Sequence, residues 1–145
     1  MNDITSYMLE QTKKILSIDS PTGFTAHAAE YVLGAYKKLG YDAKLTNKGG
    51  IFVCVNDGPD QADDPADAPI LLEAHMDTLG GMVCSINEKG RLMLSALGGM
   101  NPNNAEAENC RVYTRSGKVY SGTFQLKNAS IHVNGSYNDT ARSYD

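Results

Sequence analysis

Two residues near the middle of the chain, His75 and Asp77, have side chains suited to metal chemistry. They follow the apolar run Ile70–Ala74, which predicts a buried strand, and alternation along a strand puts residues two apart on the same side. A neutral imidazole can bind a divalent metal through one ring nitrogen, while a nearby carboxylate accepts a hydrogen bond from the other N–H. The same spacing also fits a histidine that is only hydrogen-bonded at a strand end, and spacing alone favours this second interpretation.

Three other polar residues are interpreted as structural. His27 lies beside the apolar face of a predicted helix, which is typical of a surface histidine, and His132 follows a short strand-like segment. Glu73 could lie on the same side of its strand as His75. We favour a carboxylate at the edge of the core, paired with a backbone or basic group, over a general base.

The composition of the chain excludes several classes of protein. Hydrophobic residues make up 41% and charged residues 21% of 145 residues, which is ordinary for a globular protein and argues against disorder. A net charge of −4 gives no basic surface for nucleic acid, and the apolar runs are too short to cross a membrane. The three cysteines are widely spaced and the first residues lack a secretory signal, so we predict reduced, mostly buried thiols and a cytoplasmic location.

The first half of the chain has the periodicity of helices and then of strands. Apolar residues at helical spacing predict a helix near the N-terminus and a second one from about Thr25 to Leu39, which should end at Gly40. A short strand over 42–46, a buried strand over 51–55 and the buried strand Ile70–Ala74 follow, with an irregular loop over 57–69 between the last two.

The second half of the chain has the pattern of β-hairpins. Turn residues at 87–90 and at Ser116-Gly117 each separate two strand-like segments, and no helix is predicted after Gly81. The change of pattern predicts a domain boundary near Thr78–Gly81.

Several short segments occur in an order and spacing that resemble the start of the tetrahedral aminopeptidase family, which includes glutamyl and deblocking aminopeptidases. The resemblance covers roughly Ile4 to Val133. The segments that carry it are Ser20-Pro21-Thr22-Gly23-Phe24, Lys48-Gly49-Gly50, Leu71-Leu72-Glu73-Ala74-His75-Met76-Asp77, Gly81-Met82-Val83, Leu97-Gly98-Gly99, Val112-Tyr113-Thr114 and Gly117-Lys118-Val119-Tyr120-Ser121-Gly122. The chain departs from the family pattern at Thr78, where an acidic or amide residue is more usual, and at Gly81, which replaces an aromatic residue.

The resemblance implies both a fold and a site. The expected fold is α/β: residues 1–79 form the N-terminal part of a catalytic domain, with two helices and an incomplete, mostly parallel sheet, and residues 80–145 belong to an inserted small β-barrel-like domain. By position in the motif, His75 is the expected metal ligand and Asp77 the residue that orients it. The implied cofactor is a pair of divalent metal ions, zinc or cobalt, in each active site. A homo-oligomer is implied as well.

The resulting prediction is an N-terminal portion of a dinuclear-metal aminopeptidase that releases N-terminal residues from peptides. The remaining ligands of the family lie further along the chain than residue 145, so these residues alone should be inactive. A non-catalytic β-rich module for assembly or peptide binding is the alternative from another class. A related metallo-exopeptidase or deacylase is a second alternative, although its catalytic domain usually continues where this chain has hairpins.

Overall fold

The structure is a computed structural model that describes residues 3–55, 70–136, 138–139 and 141–142. It divides into two compact units, Met1–Thr78 (unit 1) and Leu79–Asp145 (unit 2). The loop predicted over 57–69 lies outside the described residues. The assignment of the two units to a catalytic and an inserted domain stays a prediction.

Unit 1 begins with two helices, α1 (Asp3–Leu16) and α2 (Ala26–Lys38), close to the predicted positions. The Tyr31 hydroxyl of α2 donates to Gln11 Oε1 of α1 at 2.6 Å. Helix α2 ends where expected, because Gly40 takes a φ of +90°, a left-handed conformation that side chains disfavour.

A short hairpin follows the helices. Strands β1 (Lys44–Leu45) and β2 (Ile51–Phe52) pair antiparallel, and the turn between them uses Gly49 at a φ of +82°. The buried strand predicted over 51–55 was wrong in extent and in burial: only two of its residues are strand, and Phe52 and Val55 are exposed.

The buried strand predicted at Ile70–Ala74 was also wrong. These residues form neither strand nor helix, and the side chains of Ile70 and Leu72 are 88% and 87% exposed. A strand needs a neighbour for its backbone N–H and C=O groups, and no strand among the described residues pairs with this segment. The prediction was wrong because it rested on apolar composition, which does not show whether the partner strand that a buried strand requires is present.

Unit 2 consists mainly of two hairpins. Strands β3 (Gly80–Ile86) and β4 (Leu92–Leu97) pair antiparallel around the predicted turn at 87–90, with an irregular register between Val83 and Ser85. Strands β5 (Asn109–Tyr113) and β6 (Val119–Thr123) pair in the same way around Ser116-Gly117.

A single helical turn separates the two hairpins. Helix α3 (Pro102–Ala105) is capped by Asn101, whose Oδ1 accepts a hydrogen bond from Asn103 N at 3.0 Å. Apart from this turn, the described part of unit 2 has the hairpin architecture predicted from the sequence.

The α/β class is confirmed, but the finer description is not. Every sheet within the described residues is two-stranded and antiparallel, so the four strands of unit 2 form two separate ribbons rather than a closed barrel. One isolated parallel bridge, between Pro21 and Thr78, is present in unit 1. The mostly parallel sheet stays a prediction.

Few side chains are fully covered in either unit. The buried apolar residues of the described chain are all alanines: Ala28, Ala29, Ala43 and Ala105. Ser20 is the one buried polar residue among those that the structure describes. Cys84 and Cys54 are exposed, so the prediction of mostly buried thiols was wrong, and none of the three cysteines, all of them in the described ranges, is in a disulfide.

Candidate metal centre

His75 and Asp77 contact each other in an exposed, irregular segment of unit 1. His75 Nδ1 lies 3.1 Å from Asp77 Oδ1 and 3.0 Å from the Asp77 backbone oxygen. The contact comes from a bend of the chain rather than from strand alternation, because residues 71–77 are not strand. The structure thus brings the two predicted site residues together by a different route from the one that the sequence suggested.

The partners of His75 Nδ1 determine which ring nitrogen carries the proton. A backbone carbonyl and an ionised carboxylate can only accept hydrogen bonds, so Nδ1 must be the donor. The neutral ring then has its lone pair on Nε2, which has no hydrogen-bond partner among the described residues. Since the His75 side chain is 85% exposed, Nε2 is accessible to a metal ion from solvent.

Asp77 is held from its other side by Thr22. The Thr22 hydroxyl donates to Asp77 Oδ2 at 2.7 Å, across 55 residues of sequence. This hydrogen bond is the main reason why the pKa of the Asp77 carboxyl lies below its ordinary value of 3.8; burial acts in the opposite direction, and the hydrogen bond from His75 adds a smaller lowering effect. Asp77 is therefore ionised at neutral pH and acts as an acceptor on both oxygens.

The backbone around Asp77 is fixed by Ser20. The Ser20 hydroxyl donates to the Met76 carbonyl at 3.0 Å, and the Thr78 N–H donates to the Ser20 carbonyl at 2.8 Å. Ser20 is only 1% exposed, so these bonds compete little with water. Residues 20–22 thus hold the segment from Met76 to Thr78 at three points.

Sequence reasoning missed this role of Ser20 and Thr22. In the sequence, Ser20–Gly23 was recognised only as one part of the resemblance. No signal in the local spacing links residues 20–22 to residues 76–78, because the contacts span more than fifty positions. Hydroxyl side chains in a segment between two helices were the available hint.

The other weighed residues lie apart from this contact. His27 is exposed on α2 and meets Phe24 edge-on at a centroid distance of 5.8 Å, which confirms the surface interpretation. Glu73 is exposed rather than at a core edge. His132 is an exposed turn residue of unit 2.

The donor set fits one metal ligand and its orienting carboxylate. His75 offers Nε2, while both Asp77 oxygens are already directed at protein donors. Within the ranges that the structure describes, no three His, Cys, Asp or Glu side chains cluster closely enough to hold a metal ion together. A metal site usually needs at least three protein ligands, so a metal ion bound by His75 would require further ligands from outside this cluster.

Comparison with known proteins identifies the family. A family model described as M42 glutamyl aminopeptidase matches residues 50–144, which is well over half of the chain. The chain belongs to the M42 glutamyl aminopeptidase family. The matched residues include His75, Asp77 and all of the hairpins of unit 2.

Two curated relatives show the same affiliation. YhfE of Bacillus subtilis (strain 168), whose name describes it as an aminopeptidase, is 35% identical over 135 residues, covering 93% of this chain and 36% of the relative. The glutamyl aminopeptidase of Lactococcus lactis subsp. cremoris (strain MG1363) is 32% identical over 112 residues, covering 77% of this chain and 30% of the relative. The chain therefore spans about a third of the length of these relatives.

Proposed function

We propose that this chain contributes one metal ligand, His75, and its orienting carboxylate, Asp77, to a dinuclear-metal aminopeptidase that releases N-terminal residues from peptides. The family and the names of both relatives support the peptidase class. The observation that carries the proposal is the His75–Asp77 contact, which leaves Nε2 as the accessible lone pair. Divalent metal ions, zinc or cobalt by resemblance, would polarise the peptide carbonyl and lower the pKa of water.

The roles of the two residues follow from their atoms. Asp77 accepts the Nδ1 proton of His75, which sets the tautomer and raises the basicity of Nε2 toward a metal ion. Because Asp77 stays ionised at neutral pH, its carboxylate remains a hydrogen-bond acceptor for the Nδ1 proton of His75. A neutral His75 ring held in this way has its lone pair on Nε2, the atom that would bind the metal ion.

The number of ligands limits what the 145 residues do by themselves. One imidazole with one orienting carboxylate falls short of the three protein ligands of ordinary zinc sites. We therefore propose that the chain alone binds zinc weakly and has no peptidase activity, and that the complete site needs residues of a longer polypeptide or of another copy. Homo-oligomers and a cytoplasmic location are part of the same proposal. Within the described residues, none of the helices has the length and apolar character needed to span a bilayer.

The test uses the full reading frame that contains this chain. The purified product is assayed for release of the first residue from a panel of peptides with acidic, neutral and blocked N-termini. We expect release that is lost after chelation and restored by zinc or cobalt. Binding of the peptides without any cleavage would contradict the proposal and favour a non-catalytic peptide-binding module.

A further inference from the structure

The ring of His75 has few contacts that fix its orientation. Its side chain is 85% exposed, and within the described part of the chain its ring is held only by the two Asp77 oxygens on Nδ1. The orientation of a carboxylate is itself only weakly restricted, because the terminal torsion of an aspartate has a broad, roughly two-fold energy profile. Asp77 can orient His75 only if something orients Asp77.

We propose that Thr22 is a positioning residue of the metal centre, which fixes the Asp77 carboxylate and through it the ring of His75. The inference rests on the proposed function of His75 as a metal ligand, and it adds a residue for which no role was predicted from the sequence. Thr22 touches Asp77 and not His75, so its effect is indirect.

The geometry of the three side chains supports this role. Thr22 donates to Oδ2 at 2.7 Å while His75 Nδ1 lies 3.1 Å from Oδ1, so each carboxylate oxygen has its own partner. Rotation of the carboxylate would break both contacts together.

Ser20 completes the arrangement from the backbone. Its hydrogen bonds to the Met76 carbonyl and from the Thr78 N–H hold the peptide groups on either side of Asp77. The Asp77 carbonyl, the second acceptor for His75 Nδ1, therefore has a fixed position as well. Thr22 controls the carboxylate and Ser20 the carbonyl, so removal of the Thr22 hydroxyl should weaken the orientation of His75 without abolishing it.

The test is nitrogen-15 NMR of the histidine rings in the metal-free product of the full reading frame at about pH 8, where histidine is ordinarily neutral. The spectrum reports the share of His75 rings with the proton on Nδ1. Thr22→Val removes the hydroxyl and keeps the shape, whereas Thr22→Ser keeps the hydroxyl. Thr123→Val is the matched control, because Thr123 donates to the Asn109 side chain at 3.4 Å on an exposed strand of unit 2.

We expect the wild type to carry the proton mainly on Nδ1. In Thr22→Val the ratio of Nε2–H to Nδ1–H rings should rise about twofold or more, the lower end of what one ordinary hydrogen bond supports. Thr22→Ser and Thr123→Val should match the wild type. Thr22 is exposed, so the valine variant should stay folded, and Thr22→Ala provides the same comparison with a smaller side chain.

Two results would overturn the inference. A wild-type ring with its proton mainly on Nε2 would refute it without any variant, and an unchanged ratio in both hydroxyl-free variants would refute the role of Thr22. The measurement contains no metal, so it is independent of the proposed function. A chain that shows the Thr22 effect while the full reading frame lacks metal-dependent cleavage would retain the positioning role and lose the function.

Discussion

The Ser20 hydroxyl is the best-buried polar contact beside the candidate metal centre, so its removal tests whether residues 20–22 hold the motif. Ser20→Ala deletes the hydrogen bond to the Met76 carbonyl at 3.0 Å and leaves that carbonyl without its side-chain donor. Loss of such a bond ordinarily costs about 0.5–1.5 kcal/mol, and about 1–3 kcal/mol where the abandoned group is buried. Ser20 is 1% exposed but Met76 is only half-buried, so we expect unfolding of unit 1 to become easier by about 1–2 kcal/mol.

The matched control is Ser17→Ala. Ser17 donates to the Lys14 carbonyl at 2.7 Å, so the same atom and the same kind of acceptor are involved, but Ser17 is exposed. Water replaces that bond, and the expected change is within about 0.5 kcal/mol. The two variants therefore differ in burial and little else.

The assay is urea unfolding followed by tyrosine fluorescence, since the chain has eight tyrosines and no tryptophan. Hydrogen exchange at the Thr78 amide, which donates to the Ser20 carbonyl, adds a local measurement. We expect a lower urea midpoint and faster exchange at Thr78 in Ser20→Ala alone. Equal effects of the two variants, or a change below about 0.5 kcal/mol for Ser20→Ala, would refute the reasoning.

Three further predictions concern charge and exposed surface. The Asp77 carboxyl should titrate below its ordinary value of 3.8 in carbon-13 NMR, and Thr22→Val should raise its pKa. Because a lowered pKa stabilises the ionised form, the contribution of Asp77 to the stability of the fold is present above 3.8 and is lost as the pH falls through the lowered pKa. Glu106→Gln should destabilise unit 2 by about 1–3 kcal/mol in urea unfolding, because Glu106 and Arg142 pair at 2.8 Å with side chains only 16% and 18% exposed. The control is Asp42→Asn in the exposed pair with Lys44, which should change stability by less than about 0.5 kcal/mol. The 145-residue chain should self-associate at micromolar concentration in light scattering through exposed apolar residues such as Ile70 and Leu72, and a monomer at that concentration would contradict this.

Local structure was predictable from the sequence where local rules decide it. Both N-terminal helices were predicted from apolar residues at helical spacing. The second helix ends near the expected residue because Gly40 acts on its immediate neighbours. The hairpin turns at 87–90 and at Ser116-Gly117 also depend on adjacent residues, and both were found.

Burial was not predictable, because it depends on partners that sequence patterns do not specify. Ile70–Ala74 has the composition of a buried strand, yet the described residues contain no neighbour for it. Cys84 was expected to be buried like the other thiols, but it lies in β3, which belongs to a two-stranded ribbon that leaves its side chain exposed.

Two of the four residues of the candidate site were predicted from the sequence. His75 and Asp77 were found through their motif, while Thr22 and Ser20 were missed because their contacts with it span more than fifty residues. A hydroxyl has no residue-type signature as specific as that of an imidazole. Its role appears only when the fold places it beside a carboxylate.

The most direct test of the account is the metal content of the full reading frame after substitution of His75. Inductively coupled plasma mass spectrometry would compare the wild type, His75→Ala and His27→Ala, the last being an exposed histidine of unit 1 outside the candidate site. We expect His75→Ala to lose bound metal while His27→Ala retains it, and Asp77→Asn to weaken metal affinity about 10–100-fold. Metal content that is unchanged in His75→Ala would contradict the claim that His75 is a ligand.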